Sequence, residues 1–174
     1  RLYLVFYGNL HSLDFLRGLI MGVSAHHQKI LLQSIAIIKP NFHCFTVTFH
    51  VQLKRHALTM QWPSSQEISE KSYLLYCSLE RTVTHLDCLL SVLPFIQHHA
   101  NNLSKSGLTC QDVDLLGDAF IAALKIHLGK EFTPNLENAW HYAVRMFKSI
   151  VKSYLFNTNN IVAINKSVQQ QMSS

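Results

Sequence analysis

The sequence has 174 residues, of which 48% are hydrophobic and 14% are charged. This length fits one domain with a single core, and the excess of apolar over charged residues excludes an intrinsically disordered chain. The net charge of +5 is scattered instead of gathered into a basic stripe, which argues against a nucleic-acid-binding protein.

The N-terminal segment and the cysteines bear on where the protein resides. Residues 1–22 form an extension of uncertain role, in which His11, Asp14 and Arg17 interrupt the hydrophobic region that a secretory signal needs. No stretch reaches the roughly 18 uninterrupted apolar residues of a membrane span. The four cysteines are neither paired nor densely spaced, which is typical of reduced, mostly buried thiols. We expect a cytoplasmic protein without a membrane span, with secretion as the weaker alternative.

The spacing of apolar residues indicates an all-helical domain over residues 23–156. Gly and Pro number only six and four, and apolar residues recur every three or four positions, which favours helices over strands. A first helix over 26–38 ends before Pro40, and a second begins near Asn41. Its residues 45–49 also alternate like a strand, but nothing nearby offers a partner strand. Residues 157–174 are polar and predict a partly ordered tail.

Capping signals mark the starts of three further helices. Ser64 with Glu67 and Thr109 with Asp112 have the spacing of a capping box, and Thr133 is followed by Pro at the first helical position. The helix after Ser64 is predicted to run to about His85. Another helix covers roughly 86–102, with Pro94 either kinking it or starting a new segment.

The sequence of the last two helices carries the most specific signal. It contains Leu115-Leu116-Gly117, then residues 127–134 with the letters HLGKEFTP, then Ala139-Trp140. This pattern resembles the penultimate and final helices of haemoglobin-type chains, so the chain is similar to the globin family. The resemblance implies a globin-like fold of about six to eight helices around a crevice that holds haem b.

The same resemblance implies an axial histidine for the haem iron. Residues 95–100 read FIQHHA, and a histidine before alanine and four residues after an apolar one is similar to the proximal helix of myoglobin-like chains. His99 is therefore the predicted iron ligand, with His98 as the alternative. A neutral imidazole on a helix beside an apolar crevice is what haem iron requires.

The remaining cofactor contacts are also implied by the resemblance. Val113, Leu116, Phe147 and Val151 fall where the last two helices line the haem, and Phe95 lies one turn before His99. On the distal side, Gln66 and Lys71 are the polar candidates, and Trp62 stands where the family places a phenylalanine beside the haem. Each of these residues also has an ordinary structural interpretation, in the core or on an exposed helix face.

These observations lead to two functional hypotheses. The first is a non-enzymatic haem protein that reversibly binds oxygen or another diatomic gas, such as nitric oxide or carbon monoxide, as a carrier, a sensor or a redox protein. The second is a haem-free globin-fold interaction or regulatory domain. The second is motivated by the spacing from His99 to Gly117, which is three or four residues longer than in familiar globins, and by the lack of a distal histidine. A turn inserted around residues 101–106 would explain the longer spacing.

Overall fold

The computed structural model describes residues 25–56, 64–70, 72–86, 93–105 and 107–157. The chain is predominantly helical in these ranges and contains no strand there, which confirms the all-α prediction. The predicted extension 1–22 and the tail beyond Asn157 lie outside the described residues. The helices in chain order are α1 (Ala25–Ile38), α2 (Phe42–Lys54), α3 (Ser65–Glu70), α4 (Ser72–Thr84), α5 (Leu93–Ser104), α6 (Cys110–Leu128) and α7 (Pro134–Lys152), with a π-helical segment at Ser153–Asn157.

The caps of the last two long helices form as the sequence predicts. The backbone N–H of Asp112 donates to Thr109 Oγ1 at 3.2 Å, and the Thr109 N–H donates to the Asp112 carboxylate at 2.9 Å. Thr133 accepts from the N–H of Leu136 at 3.3 Å, and Pro134 begins α7. Gly129 closes α6 with a φ of 50°, a conformation that glycine adopts without strain. The capping contacts therefore fix where α6 and α7 begin, and Gly129 fixes the turn between these two helices.

Helices α3, α4 and α5 cover the described part of the middle of the chain. The capping box at Ser64 is present, with the Glu67 N–H donating to Ser64 Oγ at 3.3 Å. The helix predicted to follow it is described over α3 and α4, and residue 71 between them lies outside the described residues. Helix α5 is described from Leu93, continues through Asn101 and ends at Ser104, later than predicted.

Aromatic and aliphatic side chains of α1, α2, α6 and α7 make up the centre of the core. Phe120 of α6 lies edge-on against Phe45 of α2, with ring centroids 5.6 Å apart, and against Trp140 of α7 at 5.5 Å. Leu31 and Ile35 of α1 are each 1% exposed in the same cluster. These contacts join the first and last helices around one core.

The buried face of α7 does not include Phe147. This residue was expected to line the haem or the core, but a core position is wrong, because Phe147 is 38% exposed. The buried residues of α7 are Leu136, Ala139, Trp140, Ala143, Met146, Ile150 and Val151.

The cysteines differ from the expectation of mostly buried thiols. Cys44 and Cys110 are exposed and Cys77 is partly buried, while Cys88 lies outside the described residues. All three described cysteines are free thiols. Their exposure therefore contradicts the prediction that the thiols are mostly buried.

One segment is apolar enough to cross a membrane by length and composition, although the sequence analysis expected none. This segment, Ala25–Lys54, has a mean hydropathy of 1.2 over its best window, and 39% of that window is buried inside the protein. Leu31, Ile35 and Phe45 of this segment are buried and belong to the core. Core helices of globular domains meet the same criterion, so the segment is weak evidence for membrane insertion.

Candidate haem-binding site

Helix α5 is docked on the core in a way that leaves His99 at the edge of a packed surface. Leu93, Ile96 and Ala100 are buried with exposures of 7%, 2% and 1%, and their spacing places them on one face of the helix. Phe95 and His99, one turn apart on the neighbouring face, are both partly buried. His99 is therefore neither a core residue nor fully hydrated.

The surroundings of His99 favour its neutral form. The Phe95 ring lies 4.5 Å from the His99 ring, centroid to centroid, in an edge-to-face arrangement. Burial lowers the pKa of His99 below its usual 6.5, and the like charge that His98 can carry lowers this pKa further. A neutral imidazole keeps a nitrogen lone pair, which is the group that binds haem iron. The donor chemistry of His99 thus fits an axial ligand.

His98 has a different environment from its neighbour. Its side chain is exposed, and its Nε2 lies 3.3 Å from Nδ2 of Asn102, one turn further along α5. The His98 and His99 rings are 5.5 Å apart with an interplanar angle of 83°. Of the two adjacent histidines, His99 is the one shielded from solvent.

The predicted lining residues of α6 and α7 divide into two groups. Val113 and Val151 are 4% and 3% exposed and belong to the hydrophobic cluster that also contains Ile96 and Ala100 of the His99 helix. Leu116 is partly buried and packs against this cluster, whereas Phe147 is exposed at its margin. The structure therefore brings Val113 and Val151 into one core with the helix that carries His99.

The structure gives little support to the residues predicted on the distal side of the cofactor. Gln66 is exposed, and its side-chain amide donates to the Glu70 carboxylate of the same helix at 3.0 Å. Trp62 and Lys71 lie outside the described residues. Gln66 is thus engaged on its own helix, and the role predicted for it remains a prediction.

Two contacts near His99 were not anticipated from the sequence. The guanidinium of Arg81, on α4, lies 5.7 Å from the centre of the Phe95 ring. Asn101 donates from Nδ2 to the hydroxyl of Tyr154 at 3.1 Å, which ties α5 to the π-helical segment. Both contacts join residues far apart in the chain, so no local pattern indicates them.

Part of the segment between His99 and Gly117 is helical. Residues 101–104 continue α5, and α6 begins six residues after its end. The inserted surface loop predicted around residues 101–106 is therefore helical at 101–104.

No protein-family model matches the chain. Within the described ranges, histidine, cysteine and acidic residues do not gather into a group of three or more that would hold a metal ion. A haem iron needs only one protein imidazole, since the porphyrin supplies four nitrogen ligands. The candidate site therefore depends on His99 and on the apolar surface beside it.

Proposed function

We propose that this protein is a globin-like haem protein that reversibly binds oxygen or another diatomic gas at ferrous iron, with His99 as the axial ligand. The observation that carries the proposal is the partly buried imidazole of His99, held against Phe95 with a lowered pKa. The likeness of residues 109–155 to the last two globin helices supplies the identity of the cofactor.

The roles of the protein residues follow from their environments. The neutral His99 imidazole supplies the nitrogen lone pair, and the well-packed α5 fixes its orientation. Val113 and Val151, with Leu116, supply apolar surface that excludes water from the bound cofactor. The haem itself supplies the iron to which the gas binds.

A visible absorption spectrum of protein expressed with haem tests the proposal. We expect an intense Soret band in the native chain, a strongly reduced or shifted band in His99→Gly, and a native-like band in the matched control His98→Gly. Imidazole added to His99→Gly should restore the native spectrum, because a free ligand can replace the missing side chain. Colourless native protein would overturn the proposal, as would a spectrum that depends on His98 and not on His99.

A second candidate function is a haem-free interaction or regulatory domain with the same helices. Two observations favour it: Gln66 hydrogen-bonds within its own helix, and Phe147 is exposed instead of lining a pocket. Folded native protein that retains no haem after reconstitution would support this candidate. Circular dichroism of the same sample distinguishes a folded haem-free domain from a misfolded chain.

A further inference from the structure

Helices α1 and α2, with the turn that joins them, carry positive charge and no negative charge. Residues 25–56 contain no aspartate or glutamate, and all ten acidic residues of the chain lie elsewhere. The permanent cations of this segment are Lys29, Lys39, Lys54 and Arg55. Among the ion pairs of the described ranges, Lys39 alone of these four has an acidic partner, Glu80 at 3.9 Å. The other three leave a local excess of positive charge.

One face of α2 is exposed along the whole helix. Five residues of this face lie within about 100° of one another around the helix axis, at 3.6 residues per turn. They are His43, Cys44, Val47, Val51 and Lys54, all of them exposed, and we call them the outer stripe of α2. Val47 and Val51 are 44% and 45% exposed, although valine is usually buried. The stripe therefore combines aliphatic surface with a cation, and Arg55 follows directly after it.

The carboxylates of the helix that packs against α2 do not neutralise these cations. Helix α3 contacts α2 and contains Glu67 and Glu70. Glu67 accepts hydrogen bonds from the backbone N–H and the hydroxyl of Ser64, at 2.7 and 2.8 Å, and Glu70 accepts one from Gln66 at 3.0 Å. Both carboxylates are thus engaged at their own helix, and the cations at the end of α2 stay available to an outside anion.

An exposed helix face of this composition is suited to an anionic membrane surface. Valine side chains can enter the boundary between headgroups and acyl chains, while lysine and arginine extend their charged ends to the phosphate groups. A helix face is convex, and a bilayer, unlike a small ligand or a peptide segment, needs no matching groove. The segment Ala25–Lys54 is also apolar enough for a lipid environment, and only 39% of its most apolar window is buried.

We propose that the outer stripe of α2 docks the folded domain on membranes that contain anionic lipid. In this arrangement α2 lies along the bilayer surface and does not cross it, because its opposite face, with Phe45 and Leu53, stays in the core. The aliphatic residues supply the insertion, and Lys54 and Arg55 select the anionic lipid. This inference goes beyond the proposed function and does not depend on haem.

Co-sedimentation of the full chain with lipid vesicles tests the docking. We expect native protein to bind vesicles of phosphatidylcholine with phosphatidylserine but not vesicles of phosphatidylcholine alone, and salt to weaken the binding. Lys54→Gln combined with Arg55→Gln should weaken it by about tenfold or more. Val47→Ser combined with Val51→Ser should weaken it by about threefold or more, because less apolar surface enters the bilayer.

The matched control is Lys105→Gln combined with Arg145→Gln, which removes the same charge from exposed positions outside α2. This control should bind like native protein. An equal loss in both cation pairs would overturn the inference, because net charge alone would explain the binding. Binding that is unchanged by the valine substitutions would overturn it as well, since the cations would then attract any polyanion, such as nucleic acid or an acidic protein. Native protein that does not bind the anionic vesicles refutes it directly.

A fluorophore that responds to polarity locates the contact without changing the valines or the cations. Cys44 lies in the outer stripe, and Cys110, at the start of α6, is also exposed. Each is labelled in a chain whose other cysteines are replaced by serine. On anionic vesicles, the emission at Cys44 should shift to shorter wavelength and the emission at Cys110 should not. Equal shifts at both positions, or no shift at Cys44, would overturn the inference. If circular dichroism shows that a stripe variant does not fold, this comparison decides.

Discussion

Trp140 donates a hydrogen bond from its indole Nε1 to Ser34 Oγ at 3.0 Å, although the two residues are 106 positions apart. Both side chains are only 1% exposed. The Ser34 hydroxyl in turn donates to the Leu31 carbonyl at 2.7 Å, so its donor and acceptor functions are both used. This pair fixes the register of α1 against α7 in the centre of the core.

Replacement of Ser34 by alanine is expected to lower the free energy of unfolding by about 1–3 kcal/mol, because the buried indole N–H of Trp140 loses its acceptor. Urea denaturation measures the change. Trp140→Phe serves as the comparison in a double-mutant cycle, since Ser34→Ala should cost less when the indole N–H is already absent. Equal costs of Ser34→Ala in both backgrounds would contradict an energetic role for this bond.

The two capping boxes predict unequal effects of the same substitution. Thr109→Ala is expected to cost about 1–2 kcal/mol, because Asp112 is 1% exposed and water cannot replace the lost hydroxyl. Ser64→Ala should cost about 0.5 kcal/mol, because its partner Glu67 is exposed. Denaturation curves of the two variants, recorded under one condition, show which substitution lowers the free energy of unfolding more. A larger loss in Ser64→Ala would contradict the argument from burial.

These caps show what the sequence can predict. Thr109, Gly129, Thr133 and Pro134 act on residues within one helical turn, so their patterns are complete in the sequence and their structures agree with the predictions. The same is true of the helical spacing that predicts an all-α chain.

Only part of the candidate site can be predicted from local sequence patterns. His99 was selected because Phe95 and Ala100 beside it resemble a family pattern; the structure shows it partly buried, and its role as iron ligand stays a prediction. Arg81 reaches Phe95 from another helix, and Phe147 of α7 is exposed. These features depend on how the helices pack against one another, and a local sequence pattern does not predict that packing.

Gly117 is expected to resist substitution because of the close approach of α7. A Cβ atom at this position would lie 2.8 Å from Lys148 Cδ and 2.9 Å from Val144 Cγ1. Alanine gains about 1 kcal/mol of helix propensity, but overpacking costs about 1–3 kcal/mol, so we expect Gly117→Ala to be destabilising overall. Thermal unfolding measures the result.

The control for Gly117→Ala is the double variant with Val144→Ala. Shortening Val144 removes one of the two close contacts, while the end of Lys148 can move away at little cost. The alanine at position 117 should then be tolerated or slightly stabilising relative to Val144→Ala alone. An unchanged penalty in that background would show that the steric explanation is wrong.

Asp114 is expected to stabilise the protein only above acidic pH. Its carboxylate lies 2.6 Å from Lys152 Nζ and 3.2 Å from Lys148 Nζ. The hydrogen bond from Lys152, with a weaker one from Lys148, holds the pKa of Asp114 below its usual 3.8. The contribution is therefore complete above the unfolded-state pKa and is lost as pH falls through the lower folded-state value.

Asp114→Asn should lower the free energy of unfolding at pH 7 by no more than about 1 kcal/mol, because Asp114 is 45% exposed and solvent screens the pair. This difference from native protein should disappear well below pH 3.8. Urea denaturation across the acid range measures both quantities. Asp118→Asn, which removes an exposed carboxylate from the same helix, is the control. A difference that persists in strong acid would contradict the ion-pair explanation.

The imidazole of His99 is expected to titrate below pH 6.5 in the haem-free protein, because burial disfavours its charged form. His98→Gln should raise this pKa by removing a like charge but leave it below 6.5, since burial is the larger cause. Proton NMR of the ring hydrogens measures the midpoints.

The unfolded chain takes up the His99 proton first as pH decreases, so this residue makes the fold less stable below pH 6.5. His99→Leu should therefore lose less stability than native protein between about pH 7 and pH 5. This range brackets the ordinary histidine pKa of about 6.5. A native midpoint at or above 6.5 would mean that His99 is hydrated or paired with an acid. Either result would contradict the burial that the structure gives to His99.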